Sequence, residues 1–398
     1  LTQGFLVVLL AALPAVQVGL ERVEAEGGRP LVGKRIGLVA HAASVTADGR
    51  HAVDVLRSKG VKVVRLFGPE HGLRGTAAAG EKVGSGIDAA SGLPVVSLYG
   101  DRTKPLAEDL AGLDALVIDL QDAGVRFYTY ASTMLLCLEA AGEAGIEVVV
   151  LDRPNPLGGS RVAGPTRDSA EELPSSLVNM APGPLVHGLT LGEMARYVNG
   201  RKARPARLTV VPMTGWSRPM TWPDTGRPWV APSPNLRTAE AALVYPGTCL
   251  LEATNVTEGR GTEAPFLLFG APWLRTEPLA AAINAGGLRL EPATFVPRAS
   301  AAALEPKHQG ETCRGFRMRV DDASAVRPYE FGIALLAALR STQPEFEWVR
   351  DGAWLDTLLG TRRVRRALER GDTVEAVLAA EGPDIERFER DRESALLY

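Results

Sequence analysis

"VKVVRLFGPEHGLRG", residues 61–75, decides the fold. Its first half is a short apolar, β-branched run, and its second half is a loop framed by Gly68, Pro69, Gly72 and Gly75. Runs of this kind suit strands buried on both faces, and hence a parallel sheet. The loop holds Glu70 and His71 side by side. A generic turn needs glycine, proline and a small polar residue, and has no use for a carboxylate beside an imidazole. Glu70 and His71 are either chemistry or a loop anchor, and the pattern alone balances the two.

Five further runs repeat the first half: "RIGLVA" (35–40), "PVVSLY" (94–99), "ALVIDL" (115–120), "IEVVVLD" (146–152) and "RLTVVPM" (207–213). Helical stretches separate them, over roughly 49–59, 104–111, 129–143 and 190–199. Thr190 and Glu193 stand at capping-box spacing for the last of these. This alternation predicts an α/β fold with a Rossmann-like open, mostly parallel sheet over residues 19–258. Strands at 293–297 and 314–320, a helix at 328–341 and short helices from 352 to 393 predict a smaller α+β domain over 259–398, closing a cleft. Residues 214–237 carry five prolines and three tryptophans within 22 residues, and predict a structured loop, a wall of that cleft.

Polar residues gather where the strands end, the edge at which open α/β sheets place ligands. Beside Glu70 and His71, strand four runs into Asp119, Gln121, Asp122, Arg126, Tyr128 and Tyr130, and strand five into Asp152, Arg153 and Asn155. A second group is His187 with "EATNVTEGRGTEAPF", which supplies Glu252, Asn255, Glu258, Arg260 and Thr262. Glu70, Asp119, Gln121, Arg126, Asn155, His187, Asn255, Glu258 and Arg260 are expected to converge on one pocket. The plainer readings are a turn cap for Asp152, an ion pair with an arginine such as Arg126 for Asp119, and a solvated glycine turn for "EGRG".

Composition excludes several classes. A net charge of −3 with 23% charged residues gives no basic surface for nucleic acid. Cys137, Cys249 and Cys313 are widely spaced and odd in number, which predicts buried thiols with neither a structural metal nor a disulfide framework. No metal or other cofactor is expected. "FLVVLLAALPAV" (Phe5 to Val16) is too short for a stable membrane span and predicts a clipped signal segment over 1–18, and so an exported protein. A dinucleotide fingerprint, a P-loop, a G-x-S-x-G elbow and an H-E-x-x-H pair are all missing, which argues against an oxidoreductase. Carboxylates, amides, arginines and tryptophans together suit a carbohydrate.

Several long motifs in order then carry a resemblance: "FGPEHGLRG", "IDLQDAGVRFYTY", "DRPNPLGG", "HGLTLGE", "PSPN", "TNVTEGRGTEAPF", "GAPW" and the terminal "ALLY". From about Gly19 to Tyr398 the chain resembles the NamZ-type exo-β-N-acetylmuramidases. The resemblance implies a hydrolase of bacterial cell-wall turnover that releases N-acetylmuramic acid from the non-reducing end of peptidoglycan-derived glycans, with its site between a Rossmann-like domain and a smaller one. Ala253 and Arg237 depart from the family pattern near two motifs without removing a candidate catalytic group. The glycoside cleavage that the resemblance implies needs a proton donor and usually a second carboxylate. A glutamate on a stiff, partly desolvated loop suits the donor. Glu70 is therefore the expected acid, with His71 orienting it or binding a sugar hydroxyl, and Asp119, Asp122 or Glu258 as the second group. Two rivals stand beside this reading: a non-catalytic cell-wall sugar-binding protein on the same fold, and a nucleotide- or phosphate-sugar enzyme, made less apt by the missing glycine fingerprint.

Overall fold

The computed structural model describes residues 16–398 except 79, 83 and 284. The apolar stretch read as an export signal lies outside the described residues up to its last member, Val16. Val16 and Gln17 bond to the main chain of Thr225 and Thr214, and Val18 is buried.

Seven strands form the large sheet: β1 (Arg35–Ala40), β2 (Lys62–Gly68), β3 (Gly86–Ile87), β4 (Pro94–Ser97), β5 (Ala115–Asp119), β6 (Glu147–Leu151) and β7 (Arg207–Val211). Their order is β3-β4-β2-β1-β5-β6-β7. All neighbours run parallel except β3, which adds antiparallel to β4 at the edge. Without β3 the order is the doubly wound one, with the chain leaving β1 first toward one edge and then, through β5, toward the other. The six expected strands are all present. The two-residue β3 carries too little pattern to be read from sequence.

The apolar runs are continuous because both faces are covered. Ile36, Leu38, Val117 and Val149 pack beneath α1 (Gly19–Ala25) and α2 (Ala52–Ser58). Their neighbours Val39, Leu116, Ile118, Val148 and Val150 pack against the other face with α4 (Thr129–Ala144) and α5 (Leu191–Asn199). A single turn, α3 (Ala107–Leu110), precedes β5. Thr190 and Glu193 form the expected capping box at α5. The helix α4 is apolar on nearly all sides, as a buried helix is.

The second unit holds an antiparallel sheet of β8 (Leu268–Ala271), β9 (Leu288–Phe295) and β10 (Cys313–Val320), ordered β8-β10-β9. Around it lie α6 (Ala239–Thr248), α7 (Thr276–Ala282), α8 (Pro328–Thr342), α9 (Ala353–Leu359), α10 (Arg363–Arg370), α11 (Val374–Ala379) and α12 (Gly382–Arg392). Backbones touch where α6 crosses α8: a Cβ on Gly247 would fall 2.0 Å from the Pro328 carbonyl, and one on Gly332 2.6 Å from Gly247 Cα. One apolar cluster runs unbroken from the large sheet through α4 to α8 and β10. The C-terminus returns to the first unit. The Tyr398 hydroxyl donates to Asp152 at 2.7 Å and accepts the Met213 N–H at 2.8 Å, and the ring meets Trp216 edge-on.

Candidate active site

A cleft of about 610 Å³ opens between the end of β2, the start of α4 and the 252–266 and 302–307 loops of the second unit. On leaving β2 the chain reverses through a non-glycine residue in the left-handed region, His71 with φ 68°. Such a backbone costs on the order of 1 kcal/mol and persists only where its surroundings hold it. Here the ring Nδ1–H donates to the Ala77 carbonyl at 2.9 Å, which leaves Nε2 with its lone pair. Burial pulls the His71 pKa down, against the opposing pull of Glu70, so the imidazole is neutral near pH 7.

Glu70 is fixed from both sides. Its Oε2 accepts the Thr129 hydroxyl at 2.8 Å, from the first turn of α4, and its Oε1 accepts the Gly80 N–H at 3.0 Å. The Tyr130 hydroxyl lies 3.2 Å from the Glu70 carbonyl and 2.9 Å from that of Pro232, tying the strained loop to the far wall. Both carboxyl oxygens are thus anchored while the residue still lines the cleft.

The opposite wall is a charged cluster. Glu258 is buried, with Arg260 Nε 3.2 Å from Oε1 and Lys307 Nζ 3.1 Å from Oε2. Burial alone would raise its pKa, but the charges of Lys307 and Arg260 outweigh it and hold the carboxyl below the usual range. Arg260 also pairs with Glu252 and lies over the Phe266 ring at 5.1 Å. Lys307 is further anchored by the carbonyls of Leu251 and Val256. The "EGRG" glycines serve this placement. Gly259 has φ 81°, and a Cβ there would sit 2.6 Å from the Leu268 carbonyl of β8.

Among the described residues, Asn235 Oδ1 is a buried polar atom of the cleft with no hydrogen-bond partner, and the Tyr128 hydroxyl has none beyond the neighbouring Tyr130 hydroxyl. Unsatisfied buried groups are rare, and in a cleft they are sites for ligand hydroxyls or amides. Tyr99, Phe127, Tyr245 and Trp354 supply apolar wall.

Of the residues nominated from sequence, the cleft brings together Glu70, His71, Tyr128, Glu252, Glu258 and Arg260. The others are scaffold. Asp119 is fully buried and bidentate with Arg153, at 2.6 and 2.9 Å, so its partner is Arg153 and not Arg126. Gln121 donates to the Asp122 and Pro154 carbonyls. Arg126 is buried, with its guanidinium on the carbonyls of Pro165, Gly183 and Leu359, far from any carboxylate role. Tyr130 braces the Glu70 loop. Asp152 accepts Thr190, Gly192 and Tyr398, and its burial raises its pKa to about 6. Asn155 bridges Leu157 and Leu189, Asn255 clamps Glu345 and Glu347, and Thr262 closes its own turn. Asp122 and His187 lie 3.8 Å apart; burial raises the carboxyl to about 7 and lowers the imidazole to about 3. The three tryptophans of the 214–237 loop also pack inward: Trp216 on Tyr398 and Trp222 on Trp229. That loop gives the cleft Ser233 and Asn235 instead.

Sequence reasoning did not nominate Thr129, Asn235 or Lys307. Thr129 and Asn235 fall inside motifs that carried the resemblance, whereas Lys307 reaches Glu258 from 49 residues away, which no local pattern reveals. Among the described residues no group of three or more His, Cys, Asp or Glu is arranged to hold a metal, and no helix is long and apolar enough to cross a membrane.

Known proteins are similar to this chain in sequence and fold. The family model described as exo-β-N-acetylmuramidase NamZ, N-terminal, matches residues 36–240, and its C-terminal counterpart matches 243–398. The peptidoglycan β-N-acetylmuramidase NamZ of Bacillus subtilis (strain 168) is 41% identical over 393 residues, covering 98% of this chain and 92% of that protein. Two crystal structures of DUF1343 family proteins from Bacteroides fragilis NCTC 9343 superimpose closely. One has a TM-score of 0.86 at 30% identity, over 96% of this chain and 99% of that one. The other has a TM-score of 0.78 at 31% identity, over 97% and 99%. With both family models matched in order and the relative aligned almost end to end, the chain belongs to the NamZ family of exo-β-N-acetylmuramidases.

Proposed function

We propose that the protein is an exo-acting glycoside hydrolase that releases N-acetylmuramic acid from the non-reducing end of peptidoglycan fragments, with Glu70 as general acid/base. The observation that carries the proposal is the placement of Glu70: both carboxyl oxygens anchored, in the wall of a 610 Å³ cleft, facing a cluster with a second carboxylate. Cleavage develops positive charge at the anomeric carbon and negative charge on the leaving oxygen. A positioned carboxyl that delivers a proton to that oxygen serves the second need. Glu258, kept ionised by Lys307 and Arg260, serves the first, either facing the developing oxocarbenium or activating the water. Asp119, buried against Arg153, and Asp122, buried beside His187, do not line the cleft and are dropped as partners.

Substrate polarity follows from the same wall. Muramic acid differs from glucosamine by a lactyl carboxylate, which arginine binds with two parallel charge-assisted bonds. Arg126 is committed to carbonyls, so Arg260 is the arginine proposed to meet it, exchanging part of its contact with Glu252. The substrate and the apolar Phe5–Val16 stretch together support an exported enzyme. Turnover of a chromogenic N-acetylmuramic acid glycoside tests the reading. Release of chromophore supports it, and binding without release assigns the cleft to a sugar-binding protein.

A further inference from the structure

A second cleft, of about 620 Å³, opens where residues 157–163 and 218–224 face the 322–327 turn and the start of α8. It shares no lining residue with the Glu70 cleft. Its charges are unusually uncommitted. Arg161 donates only to main-chain carbonyls, Leu157 at 2.9 Å and Ala323 at 2.6 Å, with Ser324 at 3.4 Å. Arg327 likewise bonds only the carbonyls of Ser324 and Val326, at 2.8 and 3.1 Å. Among the described residues neither guanidinium has a carboxylate at ion-pairing distance, whereas Arg218 beside them is spent on Glu193 at 2.8 Å. Burial and the charge of Arg327 pull down the proton affinity of Arg161, against the weaker opposing effect of Glu330.

Glu330, on the first turn of α8, has the complementary deficit: its Oε2 is buried and, among the described residues, lacks any donor. The cleft thus offers two cations without an ion-pairing acid and one carboxylate oxygen without a donor, while its other carboxylates, Asp224 and Asp322, accept from Thr221 and Ser324 in their own turns; Leu157, Val186 and Pro219 supply apolar wall. A simple anion would satisfy the arginines and leave Glu330 bare, and a simple cation would do the reverse. A buried carboxylate without a donor is costly, so the fitting ligand supplies both charges. We propose that this cleft binds a zwitterionic amino acid or peptide, its carboxylate on Arg161 and Arg327 and its ammonium on Glu330. The proposal is independent of the hydrolytic reading.

Alanyl-alanine titrated into the full chain, followed by calorimetry and backbone-amide NMR shifts, tests it. The expected result is saturable binding below about 10 mM, with shifts at Arg161, Ser324 and Glu330 and none around Glu70. N-acetyl-alanyl-alanine and alanyl-alanine amide, each lacking one charge, should bind at least about tenfold more weakly. Arg161→Met should weaken the dipeptide by a similar factor. Arg327→Gln, at an exposed residue bonded only within its own turn, should do so with the unfolding midpoint unchanged, which guards against a folding defect in the first variant. Failure to saturate, equal binding of the capped dipeptides, inorganic phosphate binding as tightly as alanyl-alanine, or shifts confined to the Glu70 cleft would each overturn the proposal.

Discussion

At the scale of single residues, the account rests on Glu70. Glu70→Gln keeps the shape and one acceptor oxygen for the Gly80 N–H, with its amide NH2 donating to a reoriented Thr129 hydroxyl, but removes the transferable proton. It should lower kcat at least roughly 10²-fold with an unchanged circular dichroism spectrum; a folded variant with near-normal turnover on a poor leaving group would return Glu70 to the role of loop anchor. Arg260→Lys keeps a charge beside Glu258 and loses the guanidinium fork. Its kcat/KM on a muramic-acid glycoside should fall at least about tenfold further than on the glucosamine analogue, and equal losses would remove Arg260 from carboxylate recognition. Glu70 and His71 were legible in the sequence because glycines and proline bracket them at a strand end. Asp119 misled because its clue, a carboxylate within an apolar strand, fits a catalytic group and a buried ion pair equally. Only the fold shows Arg153 bidentate against it.

Buried carboxyls at this scale also set the pH dependence of stability. Burial raises Asp122 to about 7 in the folded chain, whereas an unfolded aspartate titrates near about 3.9. Between those values the folded state holds the extra proton, so stability falls as pH rises through the window and then levels off. Asp122→Asn removes that fall while still able to accept the Gly124 N–H. Urea unfolding at pH 4 and pH 8 should show the variant gaining about 1–3 kcal/mol relative to wild type at the higher pH. A gap that does not change with pH would mean that Asp122 is ionised in the fold.

Elements were legible in proportion to their length and periodicity. The six buried strands and the helices α4, α5 and α8 carry long apolar patterns and fall within a few residues of expectation. The helix α6 was not expected because Pro246 interrupts it, and the proline is tolerated where α6 presses onto α8. The strand β8 is four residues with a central glycine, too short to read alone. The terminal "ALLY" was legible as a motif and opaque in purpose until the Tyr398 hydroxyl was seen on Asp152. Tyr398→Phe deletes that donor and leaves a buried carboxyl one partner short, which should cost about 1–3 kcal/mol in urea unfolding. No loss of stability would show the latch to be dispensable.

For the whole molecule, the doubly wound order predicts a ligand at the switch point beside β1 and β5. That crevice is instead occupied by Asp119, Arg153 and Ser44, with His41 accepting the Gln121 N–H. The candidate cleft lies instead at the end of β2, where the second unit supplies Glu258, Arg260 and Lys307. The sequence pattern pointed to the strand-end edge of the sheet on which this cleft opens but not to the position along it, because side chains from distant segments decide which gap is filled. The most direct measurement is NMR of a defined disaccharide, N-acetylmuramic acid β-linked to N-acetylglucosamine, incubated with wild type and with Glu70→Gln. The account predicts free N-acetylmuramic acid from wild type, its first-formed anomer reporting retention or inversion, and at least roughly a hundredfold slower release from the variant. An intact disaccharide with wild type, or equal release by both proteins, would contradict it.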